Sequence, residues 1–158
     1  MMPSLRQVVA LVLFLVVTFA AAGVGSIATA PNIATWYATL AKPSWNPPNW
    51  IFGPVWTALF ISMAVAAWLV WRQGGLWQWP LALFAVQLAL NAAWSWLFFG
   101  FHMPGPAFIE VVALLVAIAA TTIAFLPKSM AAGILMLPYL GWVAFASVLN
   151  FTIWRLNS

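Results

Sequence analysis

Charge is almost missing from this chain, and that constrains its fold more than any motif does. Along 158 residues the charged side chains are Arg6, Lys42, Arg72, Lys128, Arg155 and a single acid, Glu110. The stretches between them are apolar and long, and a helix needs about 20 such residues to cross a bilayer. A soluble globule carries roughly a quarter charged residues. This chain carries 4%, too few to give its helices a polar face for water. The formal charge of +4 does not point to nucleic acid, because basic residues this dispersed along the sequence make no clustered stripe.

Cutting the chain where Pro, Gly and charge interrupt the apolar runs gives five spans. They cover residues 5–28, 50–71, 77–99, 105–126 and 130–154 of an all-α integral membrane protein, a five-helix transmembrane bundle in one domain. The first run exceeds the apolar core of a signal peptide and is kept as a helix. Short linkers make consecutive helices antiparallel neighbours. The longer stretch 29–49 contains Pro31, Pro43, Pro47 and Pro48, which interrupt helix, and Trp36, Tyr37 and Trp45, which favour an interface. It reads as a loop capping one end of the bundle. Arg6, Arg72 and Lys128 fall at one end and Lys42 and Arg155 at the other, which leans toward a cytoplasmic N-terminus.

Three spans carry faces unlike a lipid surface. Phe52, Trp56, Phe60 and Met63 recur at helical spacing in the second span; Gln87, Asn91, Trp94, Ser95 and Phe98 do so in the third; Pro138, Trp142, Ala146 and Asn150 do so in the fifth. Hydrocarbon cannot satisfy amides, so Gln87, Asn91 and Asn150 must point inward, either as interhelical glue or as the lining of a ligand site. A small Ala among indoles and amides leaves room for a flat aromatic guest. In the first span Ala21 and Gly25, or Ala22 and Ser26, form small-xxx-small pairs, suited to a homodimer or to packing inside the monomer.

The remaining polar residues offer little chemistry. Glu110 is either a functional intramembrane acid or an acid favoured by the dipole at a helix N-terminus, and it is assigned no catalytic role. His102 is the only histidine and there is no cysteine, so no metal site is expected, and His102 reads as a solvated loop residue. No nucleophile with a base, carboxylate pair or phosphate loop is present in the sequence, which argues against conventional hydrolysis or group transfer.

The run Trp36-Tyr-Ala-Thr-Leu-Ala-Lys-Pro-Ser-Trp-Asn-Pro-Pro-Asn-Trp50 is followed by Gly53-Pro-Val-Trp-Thr57. Asn91-Ala-Ala-Trp-Ser-Trp96, Pro138-Tyr-Leu-Gly-Trp142, Leu149-Asn-Phe151 and Trp154-Arg155 complete the pattern. Over nearly its whole length the chain resembles the translocator protein family, also called tryptophan-rich sensory proteins or peripheral-type benzodiazepine receptors. The resemblance implies a five-helix bundle, commonly dimeric, that binds porphyrins and related tetrapyrroles, benzodiazepine-type or isoquinoline drugs and, in some members, sterols, with the Pro-rich loop as lid. It places ligand contacts on Tyr37, Pro47, Trp56, Phe60, Asn91, Trp94, Trp142 and Ala146. It also implies no resident cofactor, a bacterial cell-envelope membrane, and three possible activities: sensing of bound porphyrin, light-dependent oxidation of it through Trp56 and Trp142, or transport. Sterol binding is the weaker expectation, because Phe151 stands where the sterol motif of animal members has Tyr.

Overall fold

The structure is a computed structural model that describes residues 4–158. Its elements are α1 (Leu5–Asn32), a π-helical turn Ile33–Tyr37, α2 (Asn49–Gly74), α3 (Trp79–Ser95), a second π-helical turn Trp96–Gly100, α4 (Pro104–Phe125) and α5 (Met130–Leu156). All five helices are long and apolar enough to span a membrane. The chain is therefore an integral, multi-pass membrane protein with an all-helical fold.

The helices pack as a ring in the order α1, α2, α5, α4, α3, closing back on α1. This departs from the expectation that every short linker joins packed neighbours. Only four residues separate α2 from α3, yet the two touch little. Gly75 takes a left-handed φ of 77°, open to it because it has no Cβ, and Gln78 Nε2 braces the turn by donating to the carbonyls of Val70 and Gly75. The chain thus steps sideways past α1, so that α1 stands between α2 and α3 on one side of the ring and α5 with α4 on the other.

The first span also runs further than the prolines suggest. The chain is helical to Thr39, and the loop proper is 40–48 rather than 29–49. Pro31 removes one N–H from the ladder, and the neighbouring carbonyls are capped by side chains: Asn32 Nδ2 donates to Ala28 O at 2.9 Å and Thr35 Oγ1 to Pro31 O at 2.9 Å. The π turn absorbs the rest of the mismatch, the usual way a proline survives in a spanning helix. In α5, Ser62 Oγ of α2 donates to Leu135 O at 2.7 Å, next to the Ile134 carbonyl that Pro138 deprives of its helical donor.

Packing is tight at one end and open at the other. At the end bearing the start of α1, Ala64, Ala66, Ala67 and Ala132 are completely buried and allow close approach around Met63, Ile118, Phe125 and Met136. Toward the opposite end large rings replace the alanines and hold the helices apart. The loop 40–48 is tied across that end: Ala41 N donates to Asn157 Oδ1 and Asn157 Nδ2 to Ala41 O, both at 2.9 Å, while Trp45 meets Phe145 edge to face at 5.9 Å. Of the five spans α1 is the least covered by protein, with 17% of its most apolar stretch buried against 33–44% for the others.

Candidate functional site

The separated end encloses a cavity of about 500 Å³ walled by α1, α2, α3 with its π turn, and α5. Tyr37, Trp56, Phe60, Asn91, Trp94, Trp142 and Ala146 all line it; Pro47 does not. Pro47 contributes its carbonyl, which accepts from Asn46 Nδ2 at 3.2 Å, while Asn46 Oδ1 receives the Tyr37 hydroxyl at 3.0 Å. Its role is to shape the loop behind Tyr37. Lys42 Nζ lies 4.6 Å over the Tyr37 ring, which strengthens the same junction.

The rings on the wall are held by one another and by amides. Trp94 stacks on Phe98 at 5.6 Å, and its Nε1 donates to Asn150 Oδ1 at 2.9 Å. Asn150 Nδ2 in turn donates to Pro104 O at 2.8 Å, so α3, α5 and the start of α4 fix one indole plane. Trp56 lies 5.7 Å from Phe60 and meets Tyr139 edge to face at 6.2 Å. Trp142 meets Phe52 edge to face at 5.8 Å, and its Nε1 is buried with no hydrogen-bond partner among the described residues. A donor left unmade in such a place costs free energy that an acceptor on a guest would recover.

The amides divide between the two roles open to them. Asn91 Nδ2 donates to the Tyr139 hydroxyl at 2.8 Å, and that hydroxyl donates to Gln87 Oε1 at 2.8 Å. Gln87 is wholly buried and off the cavity, a link between helices together with Met63, whose sulfur accepts its Nε2 at 3.9 Å. Asn91 belongs to both, since it lines the cavity as well. Met63 sits in the packed end rather than on the aromatic wall that its spacing suggests.

α1 is the wall that the sequence hides. Phe19, Ala22, Ser26, Thr29 and Ile33 face the cavity at helical spacing, but this stripe lies in a segment apolar all round and stands out only through its small and hydroxyl residues. Gly25 also lines the cavity and packs inside the monomer, because a Cβ there would fall 2.9 Å from Ser95 Oγ. His102 is not simply solvated: its ring stacks on Trp36 at 4.3 Å and its Nε2 lies 2.9 Å from Asn32 Oδ1. Its φ of 56° is of a kind that His tolerates better than most residues. Among the described residues no group of three or more His, Cys, Asp or Glu gathers as a metal site would.

Glu110 departs from the dipole reading. It lies beyond the first turn of α4, where a macrodipole no longer helps, and both carboxyl oxygens are buried without a partner among the described residues. Glu110→Met is expected to raise the thermal unfolding midpoint in detergent by roughly 2–4 °C, by removing an unmet polar group worth about 1 kcal/mol. A fall in the midpoint would mean that the carboxyl has found a stabilising contact.

The TspO/MBR family model matches residues 12–155. The chain belongs to the TspO/MBR family. It is 45% identical over 157 residues to the Tryptophan-rich protein TspO of Chlorobaculum tepidum, covering 96% of this chain and 98% of that one. The protein of the same name from Archaeoglobus fulgidus is 40% identical over 159 residues, with 99% and 100% covered. The human Translocator protein is 45% identical over 126 residues, covering 77% of this chain and 75% of the human one. TspO/MBR membership accords with five spans and a wall built from tryptophans.

Proposed function

We propose that this TspO/MBR protein is a membrane receptor that binds porphyrins in the tryptophan-walled cavity and serves tetrapyrrole or stress sensing. The observation that supports this most is the meeting of Trp56, Trp94 and Trp142 around one space of about 500 Å³, with an indole N–H unpaired among the described residues. Flat apolar rings gain roughly 0.5–1.5 kcal/mol per aromatic contact beyond the area they bury, so affinity needs no ion pair. With few polar groups on the wall, the Trp142 N–H and the Asn91 amide are the orienting contacts. Benzodiazepine-type and isoquinoline drugs, also flat and apolar, fit the same space. Sterol is disfavoured: Phe151 is 43% exposed, packs on Phe108 and brings no hydroxyl. The reading includes a homodimer in a bacterial cell-envelope membrane.

Titrating the purified protein with protoporphyrin IX while following tryptophan emission tests it. Trp142→Phe is expected to weaken binding about fivefold, the worth of one buried hydrogen bond. Equal affinities in the two proteins would remove this pocket as the site.

A second reading, light-dependent oxidation of the bound porphyrin by dioxygen, is favoured by the edge-to-face contact of Trp56 with Tyr139, which offers a route for charge away from the guest. Illumination with and without dioxygen separates it from binding alone. Bleaching that proceeds equally without the protein, or in Trp56→Phe, would remove that role.

A further inference from the structure

At the opposite end of the bundle, where α1 begins and α2 ends, lies a second hollow of about 280 Å³, lined by Ser4, Arg6, Gln7, Trp71, Arg72 and the turn that follows. We infer that this hollow is a binding site for the phosphodiester headgroup of an anionic phospholipid. It is independent of the cavity described above.

Two arginines line this one hollow although they are 66 positions apart in a chain with five basic residues. The Arg6 guanidinium lies 5.6 Å from the Trp71 ring centre, and that of Arg72 lies 4.9 Å from that of Trp68. Trp68 Nε1 donates to Gln7 O at 2.9 Å, which clamps α1 to α2 beneath the pair. A cation–π contact engages the face of a guanidinium and leaves its in-plane N–H fork open. No hydrogen bond or ion pair of either group occurs among the described residues. The only acid, Glu110, lies in the first half of α4, toward the other end of the bundle. Two open forks beside the positive end of the α1 dipole therefore call for an anion with several oxygens.

The surroundings select a lipid over a free ion. Arg6, Val9, Leu13 and Val16 share one face of α1 by helical spacing, and the three apolar residues are 48%, 58% and 59% exposed. A headgroup held at the hollow would lay its acyl chains along this strip, at the depth where the spans enter the membrane. Arg6 and Arg72 accordingly serve as headgroup ligands rather than as a diffuse basic flank.

The test uses the full chain in phosphatidylcholine nanodiscs containing a minor fraction of phosphatidylglycerol, with native mass spectrometry to count lipid retained after detergent stripping. One phosphatidylglycerol is expected to stay on the wild type, and phosphatidylcholine is not. Arg6→Gln/Arg72→Gln should weaken retention on the order of tenfold, while Lys128→Gln, at the same end but outside the hollow, leaves it unchanged. Arg6→Lys/Arg72→Lys, which keeps the charge and guards against misfolding, should recover only part of it. Retention that survives the double Gln change, that falls as far in Lys128→Gln, that is as strong for phosphatidylcholine, or that millimolar inorganic phosphate abolishes would each overturn the assignment.

Discussion

Tyr139→Phe is expected to lower the unfolding midpoint by roughly 4–8 °C without altering the aromatic packing around Trp56. The ring survives the change and only the hydroxyl is lost. That hydroxyl accepts from Asn91 and donates to Gln87, both at 2.8 Å, in a place with no solvent exposure. Its removal leaves one buried donor and one buried acceptor unmet, at about 1–3 kcal/mol each. Single interhelical hydrogen bonds in membranes are often worth less, about 0.6 kcal/mol, because the separated helices find other partners. Two orphaned groups in a packed interior have no such escape, so the loss lies near about 2 kcal/mol, the low end of the two penalties combined, and each kcal/mol moves the midpoint by about 2–4 °C at this size. A paired change, Tyr139→Phe with Gln87→Leu, should regain part of the loss, since it deletes one orphan. A double variant weaker than the sum of the two single changes would contradict this account of the network.

Filling the cavity should do the reverse, removing binding while sparing the fold. Gly53 of α2 and Gly23 of α1 both line it, and a Cβ at either meets no atom within 4 Å. Gly53→Phe and Gly23→Phe therefore place a ring in vacant space at the rim of the cavity, and each gains a few tenths of a kcal/mol of helix propensity. Porphyrin affinity is expected to fall at least about tenfold in both, with an unchanged or higher unfolding midpoint; a lost CH₂-sized contact costs about 0.8 kcal/mol, and a displaced ring loses many. Binding that persists in both variants would place the guest elsewhere. Gly25→Phe is the contrast: with Ser95 Oγ 2.9 Å away, it is expected to disturb the packing of α1 on α3.

The spans were legible because hydropathy leaves a chain with 4% charge no alternative, and α2, α4 and α5 begin and end within a few residues of where apolar runs meet Pro, Gly or Arg. Pro31 misled for a local reason: Asn32 and Thr35 cap its neighbouring carbonyls, and a proline seen alone does not reveal that. The ring order was hidden because linker length limits distance without fixing direction, and the left-handed Gly75 sets that direction. Spacing brought Trp56, Trp94 and Trp142 to one space because large rings and amides mark a helix face against aliphatic residues. It could not find the α1 wall, whose Ala22 and Ser26 look alike whether they face a guest, a partner or lipid. Nor could it see Arg6 beside Arg72, a pairing that depends on how two helices cross.

The sparse burial of α1 also bears on how the protein would accommodate guests of different girth. Separating two apolar helices in a bilayer costs only the contacts that lipid tails fail to replace. With 17% of its most apolar stretch covered, α1 has less of that stretch held by protein than any other span. It is also the wall that closes the aromatic space on one flank, and it is pinned at its first turn by Trp68 and near its end by Tyr37. Between these points Trp96 Nε1 holds the Val24 carbonyl at 3.0 Å, so the stretch of α1 before Val24 is the part freest to bow outward, and its elasticity would set the girth of a guest.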